Sequence, residues 1–89
     1  MKIPNKIKIK GIEFDVVFED LGDKVFGDFN ELPPKIRINI KAPKKFQEIT
    51  LLHEITHILR SDAKEQWIRE FSWDLWLVLK ENNLLKEGE

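Results

Sequence analysis

The chain predicts an α+β domain: a small antiparallel-rich sheet, made of an N-terminal hairpin and two further strands, packed on the first of two C-terminal helices. Three observations lead there. Short runs between residues 7 and 40 alternate apolar and polar side chains, the period of half-buried strands. From residue 43 to about 82 apolar side chains recur at three- and four-residue steps, the period of helices. Strands gathered in one half and helices in the other mark an α+β layout.

Ile7-Lys8-Ile9-Lys10 reads as a first strand, and Gly11 permits a turn. Ile12, Phe14, Val16 and Phe18 alternate with mostly acidic residues as a second strand, antiparallel to the first. Leu21-Gly22-Asp23 breaks it. Val25 to Phe29 reads as a short irregular strand, weakened by Gly27. Leu32-Pro33-Pro34 is expected as a connection, since proline donates nothing to a ladder. Ile36-Arg37-Ile38-Asn39-Ile40 alternates cleanly as the last strand. The strand at 25–29 could receive an extended peptide along its edge. A plain sheet edge is the preferred reading, because most edges bind nothing.

Ala42-Pro43 opens the first helix, which is expected to run to about Arg60. Asp62 and Glu65 have the spacing of a capping box for a second helix. Ile68, Phe71, Leu75, Val78 and Leu79 are its expected core stripe, and Leu84 to Glu89 an expected loose tail.

At 89 residues there is one domain, 1–89, with a thin core. The absence of cysteine excludes a disulfide scaffold and a thiolate zinc finger. A net charge of −1 with interspersed signs gives no nucleic-acid or polybasic membrane surface. The first residues lack a signal-peptide run, and no stretch is apolar enough to span a bilayer. A soluble protein of the cytoplasm, or of an infected host cell, is the expectation.

Both histidines of the chain fall in Leu51-Leu52-His53-Glu54-Ile55-Thr56-His57-Ile58-Leu59. Four residues apart on a helix, His53 and His57 share one face and can reach one Zn²⁺. Glu54 lies about 100° round the helix, placed to take the proton of a water activated by the ion. The pattern is His-Glu-x-x-His, the helical signature of zinc peptidases. Chance occurrence is the rival reading, disfavoured by the apolar helix around the motif.

Catalytic zinc wants three protein ligands and an open position. With no cysteine or further histidine, the third ligand must be a carboxylate: Asp62, Glu65, Glu70 or Asp74. Glu65 is favoured. It lies as far after the inter-helix turn as His57 lies before it, so an antiparallel pair puts them at one height. Measured from Ile68, the expected apolar stripe centres near about −30°, with Glu65 at about +60° and Glu70 at about 200°. Capping of the helix without any metal contact is the bland alternative for Glu65.

Thr50-Leu51-Leu52-His53-Glu54-Ile55-Thr56-His57, preceded by the hairpin, Phe26-Gly27-Asp28-Phe29-Asn30 and Ile36-x-Ile-x-Ile, and followed by Glu65-Gln66-Trp67-Ile68, resembles the minimal gluzincin-type metallopeptidases, or minigluzincins, and similar small phage-encoded proteins. The resemblance covers nearly the whole chain, and its specific part is residues 50–57. It implies a zincin-like fold and a zinc-dependent endopeptidase. It implies His53 and His57 as ligands, Glu54 as general base and Glu65 as the glutamate ligand. Glu70-Phe71-Ser72-Trp73-Asp74 has the Glu-x-x-x-Asp spacing of larger gluzincins, which keeps Glu70 in play. The family's usual oxyanion tyrosine or histidine is missing here, since the chain has no tyrosine and no third histidine. Arg60, Arg69 or a backbone N–H would have to serve instead. Some minigluzincins are zymogen-like, which would give the 84–89 tail a cleft-blocking role.

Two further readings stand beside catalysis. One is an inert or latent zincin-like binding module in which zinc is a structural staple or is lost. The other concerns contact: Trp73, Trp76 and Leu77 could form a homodimer or partner surface, or be wrapped by the sheet and tail.

Overall fold

A computed structural model of the chain describes residues 1–85. Its elements, in order, are β1 (Lys6–Ile9), β2 (Ile12–Glu19), β3 (Gly27–Glu31), β4 (Pro34–Asn39), α1 (Lys44–Leu59) and α2 (Glu65–Glu81). Lys10 and Gly11, with φ of 52° and 80°, make the two-residue turn of the β1–β2 hairpin. Positive φ at both central residues gives the turn a twist that matches the strands it joins.

The sheet runs β1-β2-β4-β3. β1–β2 and β3–β4 pair antiparallel, while β2–β4 pair parallel, so the sheet is mixed. The order follows from apolar content. Ile36 and Ile38, both 0% exposed, put β4 in the centre, and the short β3 takes the edge. Pro34 corrects the expected connection: it opens β4 opposite Glu31, and only Leu32-Pro33 turn the chain. A first residue of a strand tolerates proline because its missing N–H need not pair.

Ile9, Phe14, Val16, Ile36 and Ile38 of the sheet enclose Leu51 of α1, with Ile55 and Ile58 packed alongside. α2 packs on α1 and not on the sheet, so α1 is the middle layer. Two contacts tie the layers. Trp76 Nε1 donates to Glu48 Oε1 at 2.9 Å, and the Met1 amino group lies 3.2 Å from Glu48 Oε2. Gly27 lets β3 approach α1. A Cβ there would stand 2.4 Å from Thr50 Cγ2 and 2.5 Å from the Arg37 carbonyl oxygen, closer than real Cβ contacts come.

Pro43 caps α1 from outside, its carbonyl accepting from Phe46 N and Gln47 N at 2.9 and 3.0 Å. The capping box expected at α2 is absent. Lys64 is the cap residue without a side-chain bond, and Asp62 instead accepts from Arg60 Nε at 3.2 Å. Glu65 starts the helix with its carboxylate turned towards the histidines.

The face of α2 is also rotated from expectation. Ile68, Ser72 and Trp76 are buried and Leu75 and Leu79 half-buried, whereas Phe71 and Val78 are 42% and 51% exposed. The buried set centres at about +25° on the Ile68 phase, which brings Glu65 at about +60° nearer the packed face. Ser72 makes this possible: it is small, and its hydroxyl donates to the Ile68 carbonyl at 2.7 Å within its own helix. Trp76 therefore leaves the expected partner surface for the interior, while Trp73 and Leu77 stay on the surface at 37% and 36% exposed. Of the expected tail, Leu84 and Leu85 form a turn and the Leu85 carbonyl accepts from the Met1 amino group. Residues 86–89, and with them most of the proposed blocking segment, lie outside the described residues. No helix among the described residues is long and apolar enough to cross a membrane.

Candidate metal centre

Sandwiched between sheet and α2, α1 has no solvated face over much of its length. It buries Glu48, Thr50, Glu54 and Thr56 along with Ile49 and Leu51. Each buried polar group needs a partner or an opening. Thr56 Oγ1 donates to the Leu52 carbonyl at 2.7 Å, and Glu48 is bonded as above. Glu54 lines a cleft between β3, α1 and α2.

One turn apart on α1, the His53 and His57 rings have centroids 4.8 Å apart at 61°. Both Nε2 atoms face the first residue of α2. His53 Nε2 lies 3.0 Å from Glu65 Oε1, and His57 Nε2 lies 2.6 Å from Glu65 Oε2. Among the described residues these three form a group whose donor atoms all lie within 4.8 Å of one another. Asp62, Glu70 and Asp74 are not in it: all three are exposed, and Asp62 is engaged by Arg60. Phe29 of β3 packs at a tilt on His57, centroids 6.1 Å apart, and closes the sheet side of the group.

The donor set fits a divalent ion. Around a tetrahedral ion with bonds of roughly 2.0–2.2 Å, ligand atoms stand about 3.4 Å apart. The Nε2–carboxylate distances fall short of that by under about 1 Å, so the Glu65 carboxylate would have to draw back by that much to admit the ion. Burial pushes the His53 imidazole below its ordinary value, against the opposing pull of Glu65. The neutral imidazole is the form that ligates. Imidazole and carboxylate together suit zinc and also other first-row ions.

Glu54 is 6% exposed, and its carboxyl is pushed up to about 7, by burial first and then by the charges of Asp28 and Glu65. A bound cation would pull it back down. Asp28, on β3, is fixed by Arg37 of β4: Nε donates to Oδ1 at 2.7 Å, and the second guanidinium contact goes to Oδ2. That pairing holds the Asp28 carboxyl below its usual range.

The cleft measures about 400 Å³ and is lined by His53, Glu54 and Glu65 at one end. Of the two arginines that could serve an oxyanion, Arg69 lines this cleft and lies 3.7 Å from Glu65, whereas Arg60 is held by Asp62. Three residues that belong to no ligand or catalytic motif shape the site. Asn39, 4% exposed, donates to the Gly22 and Val25 carbonyls and accepts from Leu21 N and Lys41 N, fixing the 20–26 loop that walls the cleft. Phe26 and Phe46 stack at 5.3 Å to make the wall itself. Nothing local in sequence marks Asn39, which occupies an ordinary place in an alternating strand.

No protein-family model, curated protein or solved structure matches this chain.

Proposed function

We propose that this chain is a minimal zincin-like zinc metallopeptidase, with His53, His57 and Glu65 as ligands and Glu54 as general base. The observation that carries the reading is the convergence of two imidazoles and a carboxylate beside a buried glutamate at one end of a cleft. When bound, zinc supplies Lewis acidity, polarising a carbonyl and making water nucleophilic near neutral pH. Glu54 takes the proton of the attacking water on a carboxylate oxygen and returns it to the leaving amine. Arg69 offers positive charge to the oxygen that becomes anionic. Phe29 and the sheet keep water from the far side of His57. The free edge of β3, beside the cleft, can align an extended peptide by main-chain hydrogen bonds.

Glu54→Gln tests the mechanism. The variant should hold zinc as the wild type does and lose hydrolysis of a peptide library by at least about 10²-fold. Equal cleavage by both would contradict the role.

A second reading has its own observation. Glu65 contacts both histidines from the neighbouring helix, as a clamp between α1 and α2 would. In that case zinc is a structural staple in an inert module. A chelator that lowers Tm strongly, in a protein cleaving nothing, favours this second reading.

A further inference from the structure

The part of the cleft away from the histidines is apolar and has lysines beside it. We infer that it selects a peptide segment presenting a bulky apolar side chain next to a carboxylate. The inference rests on the peptidase reading for its location, and names the substrate class that the reading leaves open.

The wall is aromatic. Phe26 stacks on Phe46 at 5.3 Å and 9°, and Phe46 meets Trp73 of α2 at 5.9 Å. Lys45 Nζ lies 4.8 Å from the Trp73 centroid and 5.9 Å from that of Phe46. Ile49 forms part of the lining, and Val25 with Phe26, 45% and 54% exposed, stands at the opening. Large apolar side chains left open along a concave wall are what a ligand site looks like. About 400 Å³ lies within the range of roughly 300–1,000 Å³ typical of sites for small ligands and side chains, and is too small for a folded partner.

The wall is also formed in advance. Asn39 bonds both ends of the 22–25 segment, and the Phe26 carbonyl accepts from Asn39 N at 2.8 Å. Gly22, at φ +85°, turns the loop, and Asp20 Oδ1 accepts from its N–H at 2.9 Å. A wall held this way costs little ordering when a ligand arrives.

Charge identifies the neighbour of the apolar group. Lys24 lines the cleft on the loop side and Lys45 Nζ stands over Trp73 at its aromatic wall, while Glu54 and Glu65, the latter paired with Arg69, sit at the metal end. Two lysines beside the aromatic part of the cleft, with the acidic residues confined to its other end, favour an anionic partner there. A carboxylate beside the buried side chain supplies it, either as an Asp or Glu side chain or as a peptide's own C-terminus.

Short peptides titrated into the full chain, metal-free and zinc-loaded, with backbone and indole NMR shifts as the readout, test this. Amidated Gly-Gly-Phe-Asp-Gly is compared with versions carrying Gly for Phe, Lys for Asp, and a free C-terminus after Phe. The Phe peptides should bind at least about tenfold tighter than the Gly peptide, and the Asp peptide tighter than the Lys peptide. Shifts should centre on Phe26 and Trp73, and tighter binding of the free-terminus peptide than of the Asp peptide would identify the terminal carboxylate as the source. Lys24→Glu should cancel or reverse the preference for Asp over Lys. Phe26→Ser, at a position 54% exposed, should lose the Phe preference with no more than the small fall in Tm that loss of its stack on Phe46 brings. Equal affinity for Phe and Gly peptides, no binding, or shifts centred on Trp67 and Phe71 would overturn the inference. Selective binding without hydrolysis leaves it standing and sinks the peptidase reading; hydrolysis blind to the side chain does the reverse.

Discussion

The two helices are nearly the same length, 16 and 17 residues, yet α1 buries mostly polar side chains and α2 mostly apolar ones. Four of the six buried residues of α1 are Glu48, Thr50, Glu54 and Thr56. On α2 the buried residues are Ile68, Ser72 and Trp76, and the opposite side of the helix stays in water. Position explains the contrast. The middle layer has neighbours on both sides and can enclose a polar site, whereas the outer layer needs only one packed face. Polar atoms on α1 are therefore either bonded internally, as in Glu48 and Thr56, or turned to the cleft, as in Glu54.

The largest test of this contrast lies within α2. Trp76→Ala should cost about 3–5 kcal/mol, because it empties a packed site and strips Glu48 of a donor. Phe71→Ala, an aromatic truncation on the exposed side, should cost under about 1 kcal/mol. Urea unfolding of both measures the difference, and similar losses would mean that the helix packs on another face.

Gly27→Ala should come next, at about 1–3 kcal/mol, because the new Cβ meets Thr50 and the Arg37 backbone. Since Thr50 is one turn before His53 on α1, zinc affinity should fall with stability. A thermal melt and a zinc titration on the same sample check both, and an unchanged affinity would show that β3 does not set the position of the site.

The smallest effect belongs to the surface. Asp28 is titrated below its ordinary range by Arg37, so its contribution is present above about pH 4 and is lost as pH falls through the lowered folded value. Its side chain is 43% exposed, so solvent screens much of it. Asp28→Asn should lower Tm slightly at pH 7, with the gap to wild type closing in acid. A gap independent of pH would assign the loss to packing rather than charge.

Much of this architecture was legible in the sequence. Period-two alternation located β1, β2 and β4, and the spacing of His53 and His57 put both on one helical face. Equal height across the turn brought Glu65 to them rather than Glu70. Parallel pairing of β2 with β4 was not legible, because it depends on which strand is apolar enough for the centre of the sheet. The α2 face is not legible because hydrophobicity alone favours Phe71 and Val78 over Ser72. A serine that satisfies its own hydroxyl within the helix packs closely where a larger side chain would not. Trp76 reads as a partner surface from sequence alone because Glu48, which accepts its indole N–H, lies outside the motif.

The most direct measurement is zinc stoichiometry and affinity for wild type, His57→Ala and Glu65→Gln, with X-ray absorption to count ligands. The account predicts one ion per wild-type chain, bound through two imidazole nitrogens and carboxylate oxygen, with both variants weakened at least about tenfold. A wild-type chain that takes up no ion, or a Glu65→Gln variant that binds as tightly with the same ligand count, would contradict it.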